Sequence, residues 1–207
     1  MEYWLIYFGL LMIGGYIFGA IPFSLVIGRV TRDIDIRLVG SGNVGATNVL
    51  RTCGIFPGII ALFLDSTKGF VPVFMAGRLL RGQFPPTIVD LIMVGAAAGA
   101  LSGHLWPVFI QFKGGKGVAV SFGAFLALAP FPTLLSLLIF ILAVGITRYV
   151  SVGSMIAAFS FPIFSYFLRM SKIVFAISII GASIIIIRHR SNIAKLLDGE
   201  ESKISGK

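Results

Sequence analysis

The 207-residue chain has one cysteine, two histidines and eight acidic residues, and each scarcity closes off a class of chemistry. Cys53 alone cannot form an internal disulfide, and no Cys or Cys/His spacing resembles a metal site, so redox and zinc chemistry are not expected and no cofactor is called for. Charged residues make up only 12%, and no polar block is large enough to fold as a separate soluble domain. What remains is apolar: 57% hydrophobic residues and a mean hydropathy of +0.99 place the chain among integral membrane proteins. A single membrane domain over residues 1–197 is expected, followed by a mobile, solvated tail, DGEESKISGK, over 198–207. The net charge of +9 does not point to nucleic acid, because the basic residues sit in short segments between apolar stretches and no basic, aromatic-bearing face accompanies them.

Apolar stretches at about 3–27, 56–77, 87–110, 150–168 and 172–188 read as membrane helices. The first is too long for a signal-peptide core and follows Glu2 rather than a basic cluster, so it reads as a retained helix. The uncharged region 117–147 is interrupted by Ala129-Pro130-Phe131-Pro132. As one helix it would run about 46 Å against a membrane core of about 30 Å, and paired prolines break helices, so it divides into two short spans or a re-entrant hairpin. Seven spans place Arg29, Arg32, Arg37, Arg51, Lys113, Lys116, Arg148, Arg188, Arg190, Lys195, Lys203 and Lys207 on one side, against Arg78, Arg81, Arg169 and Lys172 on the other. Without the break the two sides are even. The positive-inside rule therefore predicts an all-α protein of seven transmembrane helices, the fourth and fifth short, with the N-terminus outside and the C-terminus cytoplasmic. Gly14-Gly15, the Gly95 to Gly99 stretch and Gly123-Ala124 offer close helix contacts.

Polar chemistry collects on the cytoplasmic face of this topology. Gly40-Ser41-Gly42-Asn43-Val44-Gly45-Ala46-Thr47-Asn48, with Arg51 behind it, has the make-up of an anion cradle: glycines to turn successive N–H groups toward one target, and Ser41, Asn43, Thr47 and Asn48 as side-chain donors. Phe112-Lys113-Gly114-Gly115-Lys116-Gly117 sets glycines beside two lysines, again suited to phosphate, although the Walker A spacing is absent. A flexible turn with positive-inside charges is its bland reading. In Arg188-His189-Arg190-Ser191-Asn192, a continuing helix puts His189 and Asn192 on one face, whereas a basic stop-transfer cluster accounts for the arginines alone. His104 is a packing histidine or a site residue. Asp65 and Lys68 form an i, i+3 pair, unless Lys68 turns to the anion site, and Ser151 and Ser154 cap a helix or serve the site. No histidine is followed five positions later by aspartate: Phe109 stands there after His104 and Ala194 after His189. No nucleophile elbow or carboxylate pair appears, so the reaction needs little general-base help or borrows a base from its substrate.

The segments GSGNVGATN at 40–48, GHLWPVFIQFKGGKGVA at 103–119 and RHRSNIAKLL at 188–197, with DSTKG at 65–69 and YVSVGS at 149–154, closely resemble the bacterial acyl-phosphate:glycerol-3-phosphate acyltransferase (PlsY) family over nearly the whole chain. The resemblance implies an enzyme of the bacterial inner membrane, active on its cytoplasmic side. It would transfer a fatty acyl group from acyl phosphate to the 1-hydroxyl of glycerol 3-phosphate, giving lysophosphatidic acid and phosphate, the first step of phospholipid synthesis. Neither acyl-CoA nor acyl carrier protein would be the direct donor. Lipid and the two small substrates are the partners implied, with no obligate protein partner. Matching positions make Ser41, Arg51 and Lys116 phosphate clamps, with Gly42, Asn43, Thr47, Asn48, Lys68, His104, Gly114 and Gly115 around them. His189 and Asn192 would orient the glycerol moiety, and Ser154 would help hold a phosphoryl group. Because acyl phosphate is already activated, single displacement without an acyl-enzyme is expected, His189 as general base being the rival. A small-anion or phosphate transporter is the alternative class.

Overall fold

The structure is a computed structural model that describes residues 3–204. Its regular elements are helices: α1 (Tyr3–Gly19), α2 (Phe23–Arg32), α3 (Ala46–Cys53), α4 (Ile55–Leu80), α5 (Pro86–Leu105), a 3-10 turn (Val108–Ile110), α6 (Val118–Leu128), α7 (Pro130–Thr147), α8 (Val150–Phe167), α9 (Lys172–Arg188) and α10 (Arg190–Leu197). Among the described residues there is no strand, only an isolated bridge between Arg81 and Phe84. The chain divides into two compact units, Met1–Leu128 and Ala129–Lys207.

Among the described residues, five helical segments are long and apolar enough to cross a membrane: Tyr3–Arg32, Ile55–Leu80, Pro86–Ile110, Pro130–Thr147 and Val150–Phe167. The bent pair α9 and α10 adds a sixth. The proline-marked region breaks at Ala129 as expected, but the halves are unequal. Helix α6 has 11 residues, because the glycine-rich segment before it runs to Gly117, whereas α7 has 18, because Pro130 and Pro132 lie in its first turn, where a missing N–H costs nothing. The fourth apolar segment is therefore short, at about 16 Å, and the fifth is not. The first stretch is also interrupted, between Gly19 and Phe23, where Pro22 stands at the N-cap of α2, yet α1 and α2 together form one span.

In the first unit, α1 lies along α5 and α4 along both α5 and α6. A β-carbon on Gly19 would fall on the Ala100 carbonyl, and one on Gly99 or Gly103 on the Met12 or Tyr16 carbonyl. Gly69 and Gly123 seat α4 and α6 reciprocally, against the Val120 and Ser66 carbonyls. Such contacts give dispersion and close backbone approach where lipid supplies no hydrophobic drive. Gly15 and Gly123 serve as the sequence suggests, while Gly14 faces open space. Asp65 and Lys68 are both buried and ion-paired at 2.8 Å. Asp65 also accepts from the Ser24 hydroxyl at 2.8 Å, and the Lys68 ammonium lies 5.3 Å from the Phe23 ring centroid. Lys68, expected near the phosphate, thus pairs with Asp65 and ties α4 to α2. In the second unit, α7 packs on α8 and α8 on α9, with Gly153 set against Phe140 and Val144.

Replacing Lys68 with alanine strands a buried carboxylate and should cost about 3–5 kcal/mol. The thermal midpoint in detergent should fall, and the double change Asp65→Asn with Lys68→Met should recover most of the loss.

Candidate active site

The segment after α2 is folded by its own side chains. Asp33 caps α2 in the left-handed conformation, and Ile36 drops into an apolar cluster with Leu25, Ile27, Val44, Val49, Cys53, Ala61 and Ile110. Between them Asp35 grips Arg37, accepting from its backbone N–H at 3.0 Å, Nε at 2.9 Å and the terminal guanidinium nitrogen at 2.6 Å. These hydrogen bonds, joined by the charges of Arg37 and Arg29, hold the Asp35 carboxyl at about 2.

Gly40 and Gly42 then adopt positive φ, 61° and 67°, which turns the chain back toward α3. Ser41 and Gly42 are exposed, Asn43 and Thr47 half-buried, and Arg51 half-buried in the last turn of α3. Asn48 is buried. Its amide donates to the Ile36 carbonyl at 2.7 Å and the Val39 carbonyl at 3.2 Å, and its oxygen accepts the Ser41 N–H at 2.9 Å. Asn48, expected as a side-chain donor to phosphate, thus has both donors on carbonyls and fastens the loop. The expected fan of backbone donors is corrected at four positions as well. The N–H groups of Ser41, Gly42, Gly45 and Asn48 go to Asn48 Oδ1 and to the carbonyls of Val39, Asn43 and Gly45.

The Lys-Gly-Gly-Lys segment lies beside this loop. After α5, Pro107 and the 3-10 turn reverse the chain, Phe112 returns its N–H to the Pro107 carbonyl, and the Gly115 N–H reaches the His104 carbonyl at 3.2 Å. Gly115 is buried where a β-carbon would strike both His104 Nε2 and the Val44 carbonyl, and one on Gly114 would strike the His104 carbonyl. The buried His104 is therefore the seat of the lysine-glycine segment. Through Val44 that segment abuts the first one, so the two glycine-rich motifs form one surface, with Lys116 half-buried beside Gly115.

In the second unit the chain bends by 51° between α9 and α10, at His189. The bond from the Asn192 N–H to the His189 carbonyl survives at 2.9 Å, so the i, i+3 relation holds through the bend and both side chains are buried. His189 Nδ1 lies 2.8 Å from the Ile185 carbonyl. A carbonyl only accepts, so Nδ1 carries the proton and Nε2 of the neutral ring is the acceptor. Asn192 donates from Nδ2 to Glu201 at 2.8 Å, and Ser151 donates to the same carboxylate oxygen at 2.8 Å. Ser154, buried one turn along α8, spends its proton on the Val150 carbonyl at 2.8 Å.

Glu201 lies in the segment expected to be a solvated tail, yet it is 8% exposed. Ile204 donates to the Arg148 carbonyl and Lys203 lies 5.7 Å from the Tyr149 ring centroid, so residues 199–204 return to the start of α8, while 205–207 lie outside the described residues. Sequence reasoning missed Glu201 because an acid in a polar terminal run looks solvated. The one available signal is that the acids of DGEE follow directly on a helix bearing a buried amide.

A model of the family described as glycerol-3-phosphate acyltransferase matches residues 9–199. The chain belongs to that family. It is 41% identical over 198 residues to the glycerol-3-phosphate acyltransferase of Desulforamulus reducens, covering 96% of each chain. It is 44% identical over 188 residues to that of Fusobacterium nucleatum, covering 91% of this chain and 93% of the relative. Two crystal structures of PlsY (YgiH), an integral membrane glycerol 3-phosphate acyltransferase, share the fold. The glycerol 3-phosphate form has a TM-score of 0.85 at 37% identity, and the lysophosphatidic acid form 0.83 at 36%, each over 95% of this chain and 94% of that one. The family relation does not favour the transporter alternative.

Glu201→Ala should remove the acceptor shared by Asn192 and Ser151 and lower kcat/KM at least about tenfold. Glu201→Gln, whose amide oxygen can accept both bonds, should retain the larger part. In the first unit, the depressed Asp35 means that its contribution to stability is whole above the ordinary aspartate value of 3.8 and is lost as pH falls through about 2. Asp35→Asn should remove that acid step from thermal melts in detergent.

Proposed function

We propose that this chain transfers a fatty acyl group from acyl phosphate to the 1-hydroxyl of glycerol 3-phosphate, forming lysophosphatidic acid and inorganic phosphate. The observation that carries the reading is the joined surface of the two glycine-rich motifs, with Arg51 and Lys116 as its cations, in a family whose solved members include glycerol 3-phosphate and lysophosphatidic acid forms. Both substrates carry phosphate, and Ser41, Arg51 and Lys116 would clamp it. Asn43, Thr47 and the backbone around Gly42 and Gly114 would shape that surface.

The acceptor hydroxyl attacks the acyl carbonyl carbon, the bond from that carbon to the phosphate oxygen breaks, and the hydroxyl proton passes to the departing phosphate. Acyl phosphate is a mixed anhydride with a good leaving group, so positioning and charge stabilisation supply most of the rate. His189 would accept a hydrogen bond from the glycerol moiety at Nε2, Asn192 would be held for the same task by Glu201, and Ser154 would offer oxygen lone pairs near a phosphoryl group. Neither a covalent acyl-enzyme nor a general base with a raised pKa is required.

The topology proposed is seven crossings, α6 being the short one, in the bacterial cytoplasmic membrane, with the N-terminus outside and the C-terminus on the cytoplasmic side. The distribution of Lys and Arg supports this orientation, and it sets the site on the cytoplasmic side. Residues 1–197 act as one membrane domain with no obligate protein partner.

Purified protein in detergent should release inorganic phosphate only when acyl phosphate and glycerol 3-phosphate are both present, and should form no lysophosphatidic acid from acyl-CoA. Equal product from acyl-CoA would overturn the donor assignment, and an acyl-protein adduct trapped during turnover would overturn single displacement. Arg51→Ala and Lys116→Ala should each lower kcat/KM by more than about tenfold, or about 1.4 kcal/mol.

A further inference from the structure

The glycine-rich segment 40–48 has the composition of a backbone-amide nest, yet its amides turn inward. Ser41 N–H goes to Asn48 Oδ1, Gly42 N–H to the Val39 carbonyl and Gly45 N–H to the Asn43 carbonyl. The Ser41 hydroxyl, by contrast, makes no hydrogen bond to any described residue and sits on an exposed position. From this contrast we propose that Asn48 is a positioning residue: it commits the backbone of the segment to an internal fastening, so that phosphate is engaged by the Ser41 hydroxyl and not by the Ser41 amide.

The fastening is complete at one side chain. Asn48 closes on the carbonyls of Ile36 and Val39 with its two N–H groups and on the Ser41 N–H with its oxygen, joining three points of the preceding turn to the first turn of α3. A primary amide has two donors in a plane and an acceptor opposite, and here each has a partner. Aspartate has nearly the same shape but no donors, so it would set carboxylate oxygen against two carbonyl oxygens. Ile36 anchors the far end in the apolar cluster, so the turn cannot follow a displaced Asn48 without unburying it.

Gly40 completes the device from the other side. Its φ is +61°, and a β-carbon there would strike Asn48 Oδ1 and approach Thr52 Cγ2 to 2.9 Å. Gly40 therefore serves the fastening as much as the turn, and Gly40→Ala should push Asn48 out of place while leaving its amide chemically intact. This inference rests on the reading of segment 40–48 as phosphate-holding. Wild-type kinetics in Arg51→Ala and Lys116→Ala would defeat that reading, whereas the Asn48 and Gly40 variants decide the present one.

The test is amide hydrogen exchange together with steady-state kinetics on full-length Asn48→Asp and Gly40→Ala in detergent. Exchange should rise in peptides covering 36–45 with α1 and α5 unchanged, and kcat/KM should fall at least about tenfold while the protein remains monodisperse. Unchanged exchange in 36–45 would overturn the fastening. Raised local exchange with wild-type kinetics would overturn its positioning role. Should Asn48→Asp not fold, Gly40→Ala decides alone, and exchange raised throughout that variant would mark the pair as structural only.

Discussion

Helix α6 meets α4 where Gly69 takes the Val120 carbonyl and Gly123 takes the Ser66 carbonyl, and α5 meets α1 through Gly19, Gly99 and Gly103 in the same way. In an apolar medium side chains gain little by leaving lipid for one another, so backbone approach and dispersion must hold these helices. The two contacts fix both ends of the connection from Leu105 to Val118. With its ends pinned, that connection has little choice of path, and Gly115 passes where His104 and Val44 leave room for a hydrogen atom only. The phosphate-binding surface proposed for this chain is therefore a consequence of helix packing some distance away from it.

Polar residues divide by position. Asn48, Asp35, His104 and Glu201 are turned onto the protein itself, fastening turns and neighbouring side chains. Ser41, Arg51 and Lys116 stand at exposed or half-buried positions on the segments so fastened. Buried polar groups must be satisfied, and a fully satisfied one is rigid. That rigidity suits the reaction proposed for this chain, in which the donor arrives activated and the protein has two anions and a hydroxyl to hold in place. The same economy appears in the second unit, where a single carboxylate oxygen receives both Ser151 and Asn192, and the Ile185 carbonyl selects the tautomer of His189.

Much of this is legible in the sequence. Hydrophobic length marked the helices, Pro130 and Pro132 marked the break at Ala129, and Gly15, Gly99 and Gly123 marked close contacts, because each reflects a preference that a residue expresses locally or toward its medium. The three polar motifs were legible too, together with the family to which they belong, because small and charged residues are conspicuous in an apolar chain.

Tertiary structure alone decided which partners those polar residues meet. A glycine-rich run permits an amide nest, but the Ser41 amide turns inward to Asn48, seven positions on, and the Gly42 and Gly45 amides to backbone carbonyls. Lys68 permits a phosphate contact, but Asp65 pairs with it, and Ser24 donates to that same carboxylate. Glu201 reads as a solvated acid until Ser151, fifty positions earlier, closes on it. Composition and periodicity report the medium a side chain prefers and the bend a backbone allows. A hydrogen bond has two ends, and its distant end is chosen by the fold.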